Sequence, residues 1–348
     1  MIPHFGLKRQ SLNLRNELLD ATDQVLKSGQ FLDGPYTRQL ENWLRIKTGA
    51  EYAITVHSGT QALEIIASYG ASGATKNIVI PNISYPATLN AFLKNDYNIL
   101  IHDTDRYGIL LEDFPHSINR NYCLVGLYGR KPLHDMAFLD SRNFVVDGAQ
   151  HWLVADGEIG VGMSISFDPT KNLPSTGNGG AIVTNDKDLY EYAALMRNNG
   201  KPDFDFVGSN SKMSEQDCAQ ILVRTQYLDG WQKRREQISQ YYCNELRDYV
   251  TCLNDDTVPH AHQKFVIYEP AVRNSLHTHM LTSGIETRVH YDYTLGELSI
   301  ADEITEKPIP ISTSYMLMRG VLSLPIYPEL YDTEVEYIAD TVKKFYDK

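Results

Sequence analysis

Between residues 52 and 198 short apolar runs alternate with stretches of helical period, and that alternation leaves few folds open. The run at 52–56 precedes a helical pattern over 60–68, and the run at 78–80 precedes one over 87–93. Further runs follow at 99–102, 123–127, 144–146, 163–167 and 181–184, before helical spacing returns over 189–198. Strands this short and this continuously apolar are buried on both faces, as happens when helices cover a mostly parallel sheet. The pattern therefore predicts an α/β fold. Ahead of the sheet it predicts a helix over 14–27, closed by Ser28-Gly29. A second helix follows Gly34-Pro35, with Leu40, Trp43, Leu44 and Ile46 on one side. Residues 213–247 read as a long helical stretch broken only at Gly230. It leads into strands at 265–268, 287–291 and 321–324 and helices over 275–281 and 333–346. The expected organisation is a large domain over residues 1–230 and a small C-terminal α+β domain over 231–348.

At 348 residues the chain is long enough for both units. A net charge of −12 argues against a broad nucleic-acid face, although a local basic patch can still receive an anionic substrate. Cys123, Cys218, Cys243 and Cys252 lack CxxC or zinc-like spacing, so neither a disulfide scaffold nor a metal site is expected. The N-terminal residues have no apolar signal core, and no apolar run is long enough to span a bilayer. The expectation is a cytoplasmic protein with no nucleic-acid or membrane partner.

Several short segments carry chemistry. Ser58-Gly59-Thr60 falls where a strand turns into a helix, so unpaired N–H groups and hydroxyls there suit a phosphate. The plainer reading of the same residues is a serine N-cap. Tyr85 lies just past a strand end, where its ring can stack on a flat heterocycle or simply pack in a loop. Asp147-Gly-Ala-Gln150 sets an acid directly after an apolar strand, either as a turn former or as the partner of a pyridine nitrogen. In Ser166-Phe-Asp-Pro-Thr-Lys171, a proline-stiffened turn projects an amine able to bond to a carbonyl compound, with Ser166 as a further phosphate hydroxyl. A lysine at an arbitrary position is a solvated surface residue, but these flanks are apolar or turn-forming. The pairs His260/His262 and His277/His279 have no cysteine or acidic partner nearby and read as surface histidines. No GxGxxG, P-loop, HExxH or GxSxG element is present, which removes the dinucleotide, NTPase, metalloprotease and esterase readings.

In combination the segments resemble the DegT/DnrJ/EryC1/StrS family of pyridoxal-phosphate-dependent sugar aminotransferases. The likeness rests on Ser28-Gly-Gln-Phe-Leu-Asp-Gly34-Pro35, Ser58-Gly-Thr-Gln-Ala-Leu63, 81–88, Leu127-Tyr-Gly129, Asp147-Gly-Ala-Gln150 and Ser166 to Lys171. It continues through Gly177-Asn-Gly-Gly180, Arg197-Asn-Asn-Gly200, Asn210-Ser-Lys-Met-Ser-Glu215, 284–291 and 322–328, all in the family's order. The resemblance implies the aspartate aminotransferase-like (type I) fold and pyridoxal 5'-phosphate as cofactor. It implies Lys171 as the lysine bonded to the cofactor and as acid/base, Asp147 on the ring nitrogen, Gln150 on the ring oxygen and Tyr85 stacked on the ring. Gly59, Thr60 and Ser166 would contact the phosphate, together with Asn210 from the second subunit of an obligatory homodimer. His290 and Tyr291 would lie near the substrate entrance. The implied reaction moves an amino group from glutamate to a nucleotide-diphosphate-linked keto-deoxysugar. The 210–215 stretch favours carbon 4 slightly over carbon 3.

The chain departs from the family pattern at Asp168, Asn178 and Gly148, where an aromatic or His, an acidic residue and an alanine are usual. The stretches 105–121 and 292–312 are short. Relatives that dehydrate sugars carry His in place of Lys171. A dehydrating or aromatising enzyme on the same cofactor, or a regulatory relative without turnover, are the competing readings.

Overall fold

The computed structural model describes all residues except 71–75, 112–120, 134–143, 256, 305, 309–311 and 348. Parts of both shortened stretches, namely 112–120, 305 and 309–311, therefore lie outside the described residues.

Three helices open the chain, α1 (Leu7–Asn13), α2 (Arg15–Ser28) and α3 (Pro35–Thr48). The strands β1 (Tyr52–Val56), β2 (Asn77–Pro81), β3 (Asn98–His102), β4 (Asn121–Val125), β5 (Phe144–Asp147), β6 (Met163–Ser166) and β7 (Gly180–Thr184) form one sheet of order β1-β7-β6-β5-β4-β2-β3. Neighbours from β6 to β3 pair in parallel, and only β7 runs antiparallel to both of its neighbours. Helices α4 (Gly59–Gly70), α5 (Pro86–Leu93), α6 (Lys187–Met196) and α7 (Glu215–Thr225) pack around it. Next, α8 (Leu228–Leu246) leads to an antiparallel sheet of β8 (Thr251–Cys252), β9 (Phe265–Tyr268) and β10 (Val321–Leu324), accompanied by α9 (Arg273–Thr282), α10 (Thr313–Gly320) and α11 (Asp332–Tyr346).

The apolar runs are explained by burial on two faces. Val79, Leu124, Val146 and Ile165 pack on one side with Leu40 and Leu44 of α3 and Ile221 of α7. Their strand neighbours Ile78, Ile80, Cys123, Val125 and Val145 pack on the other side with Leu63 and Ile66 of α4 and Phe92 of α5. Burying a side chain of this kind contributes roughly 1.5–3 kcal/mol, against roughly 0.5–1.5 kcal/mol net for a ladder hydrogen bond. Two-sided burial therefore dominates, and the parallel order is what makes it possible. The carboxyl ends of the parallel strands then open on one edge of the sheet, where ligands of such folds bind.

Four local expectations are corrected. Ile46 is 75% exposed, because α3 buries the stripe Thr37, Leu40, Leu44 and Thr48, from which Ile46 is rotated away. The break in the long helical stretch falls at Gln226-Tyr227, where the Tyr227 N–H turns back to the Arg224 carbonyl; Gly230 lies inside α8. A glycine there costs only about 1 kcal/mol, too little to end a helix that buries Leu228 and Arg235. Residues 287–291 form no strand: Arg288 makes one isolated bridge to Ser323 before the segment turns away. His262 is buried and stacks on His260 with ring centroids 4.7 Å apart, so this pair is not a surface feature. Among the described residues no cluster of three or more metal-ligating side chains occurs. No described helix is long and apolar enough to cross a membrane.

Glu215 fixes α3 to α7. Fully buried, its carboxylate accepts from the N–H groups of Gly34 (2.9 Å), Tyr36 (2.8 Å) and Thr37 (2.8 Å) and from the Thr37 hydroxyl. It thus caps the positive end of α3 from 178 residues away in sequence. Glu215→Ala is expected to cost about 3 kcal/mol by leaving several buried N–H groups unsatisfied. The urea unfolding midpoint checks this, and a loss below about 1 kcal/mol would mean that water replaces the carboxylate.

Candidate active site

Four segments converge on a cavity of about 410 Å³ at the carboxyl edge of the large sheet: the β1–α4 turn, the start of α5, the end of β5, and β6 with the turn after it. Gly59, Thr60, Tyr85, Asp147, Gln150, Ser166, Lys171, His290 and Tyr291 all line it. Of the site residues the resemblance assigns, only Asn210 does not; it is exposed, at an isolated bridge to Asn198. Open surface clefts beside Arg247 and Lys233 contain none of these groups.

At one end of the cavity α4 begins. Ser58 caps it, its Oγ accepting from the Gln61 N–H at 3.1 Å, so the plainer reading of Ser58 holds. The N–H groups of Gly59 and Thr60, in the first turn, have no acceptors within the helix. A side chain at residue 59 would bring its Cβ to 2.7 Å from Ser166 Cβ, so only glycine lets β6 and the helix start approach this closely.

Asp147 ends β5 at the cavity floor. Its Oδ2 accepts from the Thr88 hydroxyl at 2.8 Å and its Oδ1 from the Ala149 N–H at 3.2 Å. Ser84 lies 2.8 Å behind Thr88, so α5 holds the carboxylate in one orientation through a hydroxyl chain. Gln150 accepts the Tyr128 N–H at 2.9 Å through its Oε1, which leaves its amide NH2 as the donor at the cavity. Gly148, where alanine is usual in the family, has a local cause: a Cβ there would stand 2.7 Å from the Ser164 carbonyl and 2.6 Å from Met163 Cγ.

The turn after β6 carries Lys171. Asp168 builds that turn, accepting from the Thr170 N–H (2.9 Å) and hydroxyl (2.6 Å), while its carbonyl accepts from the Lys171 N–H at 2.9 Å. An aromatic residue at 168 could not make the two side-chain bonds to Thr170. The Lys171 ammonium has no hydrogen-bond or ion-pair partner among the described residues. Burial pushes its pKa below the usual lysine range, while the carboxylates of Asp147 and Asp168 pull it back up. Tyr85, 57% exposed, covers the mouth with its ring 6.2 Å from that of Tyr291. His290 donates or accepts at Ser323 Oγ (2.8 Å), and its carbonyl accepts the Tyr128 hydroxyl at 2.5 Å.

Sequence reasoning missed Thr88 as the orienting partner of Asp147, and it missed Phe5 and Lys264, which also line the cavity. Lys264 carried one signal, a charged residue directly before the apolar β9. Phe5 carried none, because its place depends on the N-terminal segment pairing at Ile2 with residues 284–286.

These donors suit a flat aldehyde bearing a phosphate. Free helix N–H groups stand at one end, an uncommitted amide and an oriented carboxylate at the ring's edge, and an unpartnered amine in between. The architecture is that of the aspartate aminotransferase-like (type I) enzymes, and the protein is a pyridoxal-phosphate-dependent aminotransferase. The chain belongs to the DegT/DnrJ/EryC1/StrS aminotransferase family, which it matches over residues 13–120 and 150–343. It is 29% identical over 372 residues to the dTDP-3-amino-3,4,6-trideoxy-alpha-D-glucose transaminase of Streptomyces venezuelae, covering 100% of this chain and 97% of that protein. It is 25% identical over 369 residues to a pleiotropic regulatory protein of Geobacillus stearothermophilus, covering 99% and 98%. The crystal structure of S. venezuelae DesV superposes with a TM-score of 0.89 at 26% identity, covering 100% of this chain and 99% of that one.

Proposed function

We propose that the protein moves an amino group from glutamate to a nucleotide-diphosphate-linked keto-deoxysugar, as a cytoplasmic homodimer with shared sites. The observation that carries this reading is that Lys171, without a partner among the described residues, and Asp147 line one cavity with the start of α4. When bound, pyridoxal phosphate supplies an aldehyde and an electron-withdrawing protonated ring. Around it, the N–H groups of Gly59 and Thr60 and the Ser166 hydroxyl receive the phosphate. Asp147 would keep a proton on the ring nitrogen, the Gln150 amide would donate to the ring oxygen, and Tyr85 would pack on the ring. Lys171 would hold the cofactor through its amine, and the same desolvated amine is placed to move a proton at the substrate's Cα. In net terms glutamate and the keto-sugar would become 2-oxoglutarate and the amino-sugar, the water consumed in forming one keto group balancing the water released in replacing the other. His290 and Tyr291 border the entrance. The division into domains at residue 230/231 is part of the same proposal, with the sugar entering beside the smaller unit.

Amination at carbon 4 is preferred on the 210–215 stretch, although the Streptomyces venezuelae relative is named for a 3-amino sugar. A panel of 3-keto and 4-keto nucleotide sugars, with release of 2-oxoglutarate and the position of the new C–N bond as readouts, tests both points. Product from 3-keto sugars alone would overturn the carbon-4 preference, and no 2-oxoglutarate with any sugar would overturn the aminotransferase assignment. The regulatory reading has its own support in the Geobacillus relative's name, and the same assay separates it.

Sharing of the site is supported by Asn210, exposed and outside its own chain's cavity, and by the exposed apolar residues Phe31, Leu32, Phe204, Phe206 and Val207. Mixing inactive Lys171→Ala with Asn210→Ala protein is expected to regain activity, because a hybrid dimer contains one site with both residues intact. No regain after subunit exchange would contradict sharing.

A further inference from the structure

Lys264 lines the cavity with an amine for which the proposed cofactor chemistry has no use. It stands immediately before β9 and is 6% exposed. Its backbone is pinned on both sides: its N–H donates to the Tyr128 carbonyl at 3.1 Å, and its carbonyl accepts from the Asn254 amide at 2.7 Å. The chain therefore cannot carry the side chain away from the cavity without breaking two buried bonds. Its ammonium lies 5.8 Å from the ring centroid of Phe5 and has no ion pair or hydrogen bond among the described residues. The nearby carboxylates are already engaged, Asp147 with Thr88 and the Ala149 N–H, Asp168 with Thr170. Lys171 is close enough to repel it. A buried ammonium without an ion pair is costly beside a second lysine: burial, Lys171 and Arg235 push its pKa down, and only the Asp168 carboxylate pulls it back up.

The charge is surplus to the phosphate as well, because the α4 N-terminus serves that end of the cavity. An anionic group arriving with the substrate accounts for it. Of the groups a substrate can bring to the Lys171 end, a carboxylate is the one of matching charge and size. Resting on the aminotransferase reading above, we infer that Lys264 Nζ is the receptor for a substrate carboxylate at the reacting end of the cavity. That carboxylate belongs either to the amino donor or to an acidic keto-sugar. Phe5 lines the cavity beside Lys264, an apolar wall against which such a pair is stronger than in water.

The test uses holoenzyme, with maleate as an unreactive dicarboxylate titrated calorimetrically into wild type, Lys264→Met and Lys264→Arg. Lys264→Met is expected to weaken maleate binding on the order of thirtyfold or more, and Lys264→Arg, which keeps the charge, is expected to recover most of it. The source follows from steady-state kinetics. A raised KM for glutamate assigns the donor carboxylate, and a raised KM confined to uronate-bearing sugars assigns the sugar's. Unchanged maleate affinity in folded, cofactor-loaded Lys264→Met overturns the inference and leaves the aminotransferase reading standing. A folded Lys264→Met that no longer retains the cofactor also overturns it, since the lysine would then serve the cofactor itself. Failure of the wider reading looks different: wild-type protein would then show neither the visible chromophore nor amino transfer. Should Lys264→Met not fold, Lys264→Gln takes its place in every arm.

Discussion

Lys171→Ala is expected to lose turnover by at least about three orders of magnitude and to lose the borohydride-trappable chromophore altogether. Removal of a positioned acid/base alone accounts for roughly 10²–10⁴-fold, and the covalent anchor disappears with the same atom. Alanine leaves the turn intact, because Asp168 and Thr170 hold it through their own bonds and through the residue-171 backbone N–H. The loss should therefore appear in chemistry and not in folding. A variant that keeps both chromophore and activity would remove Lys171 from the mechanism. The environment adds a pH sign. Burial lowers the lysine's pKa, so the neutral amine that must attack an aldehyde is populated further below the usual lysine range. The rate at which cofactor-free protein captures pyridoxal phosphate should rise with pH through that lowered pKa, then level off. Insensitivity to pH across that range would count against the amine as nucleophile.

Asp147→Asn is expected to lower kcat by about two to three orders of magnitude with little change in fold, as removal of one preorganised charge does in other sites. Asparagine keeps the size but has one acceptor oxygen for the two bonds from Thr88 and the Ala149 N–H, and it no longer stabilises a proton on the ring nitrogen. The cofactor's visible absorbance should shift as that proton is lost, giving a readout independent of activity. An unchanged spectrum with unchanged kcat would show that the carboxylate serves only the hydroxyl chain to Ser84.

Much of this was legible because the physics is local. Val79 and Ile80 face opposite sides of a strand by geometry alone, so a wholly apolar run already announces a sheet covered twice. The Ser58 cap and the turn before Lys171 are likewise written in neighbouring residues. Recognition of the family rested on the order of those segments. Legibility ended where partners are far apart in the chain. The stripe of α3 that excludes Ile46 is chosen by α7. The fate of 287–291 is decided by the cavity wall and not by the pleat. His262 is buried because other elements close over it.

By itself, then, the sequence determined the alternation of strands and helices and the short turns that project an amine, an acid and free N–H groups from strand ends, since each depends on residues within a turn or two of one another. Tertiary structure alone decided that Thr88 orients Asp147, that Glu215 caps a helix begun 180 residues earlier, and that Phe5 and Lys264 line the same cavity as Lys171. Those pairings join separate elements. Their strength comes from desolvation and shared hydrogen bonds that exist only once the sheet has brought the elements together.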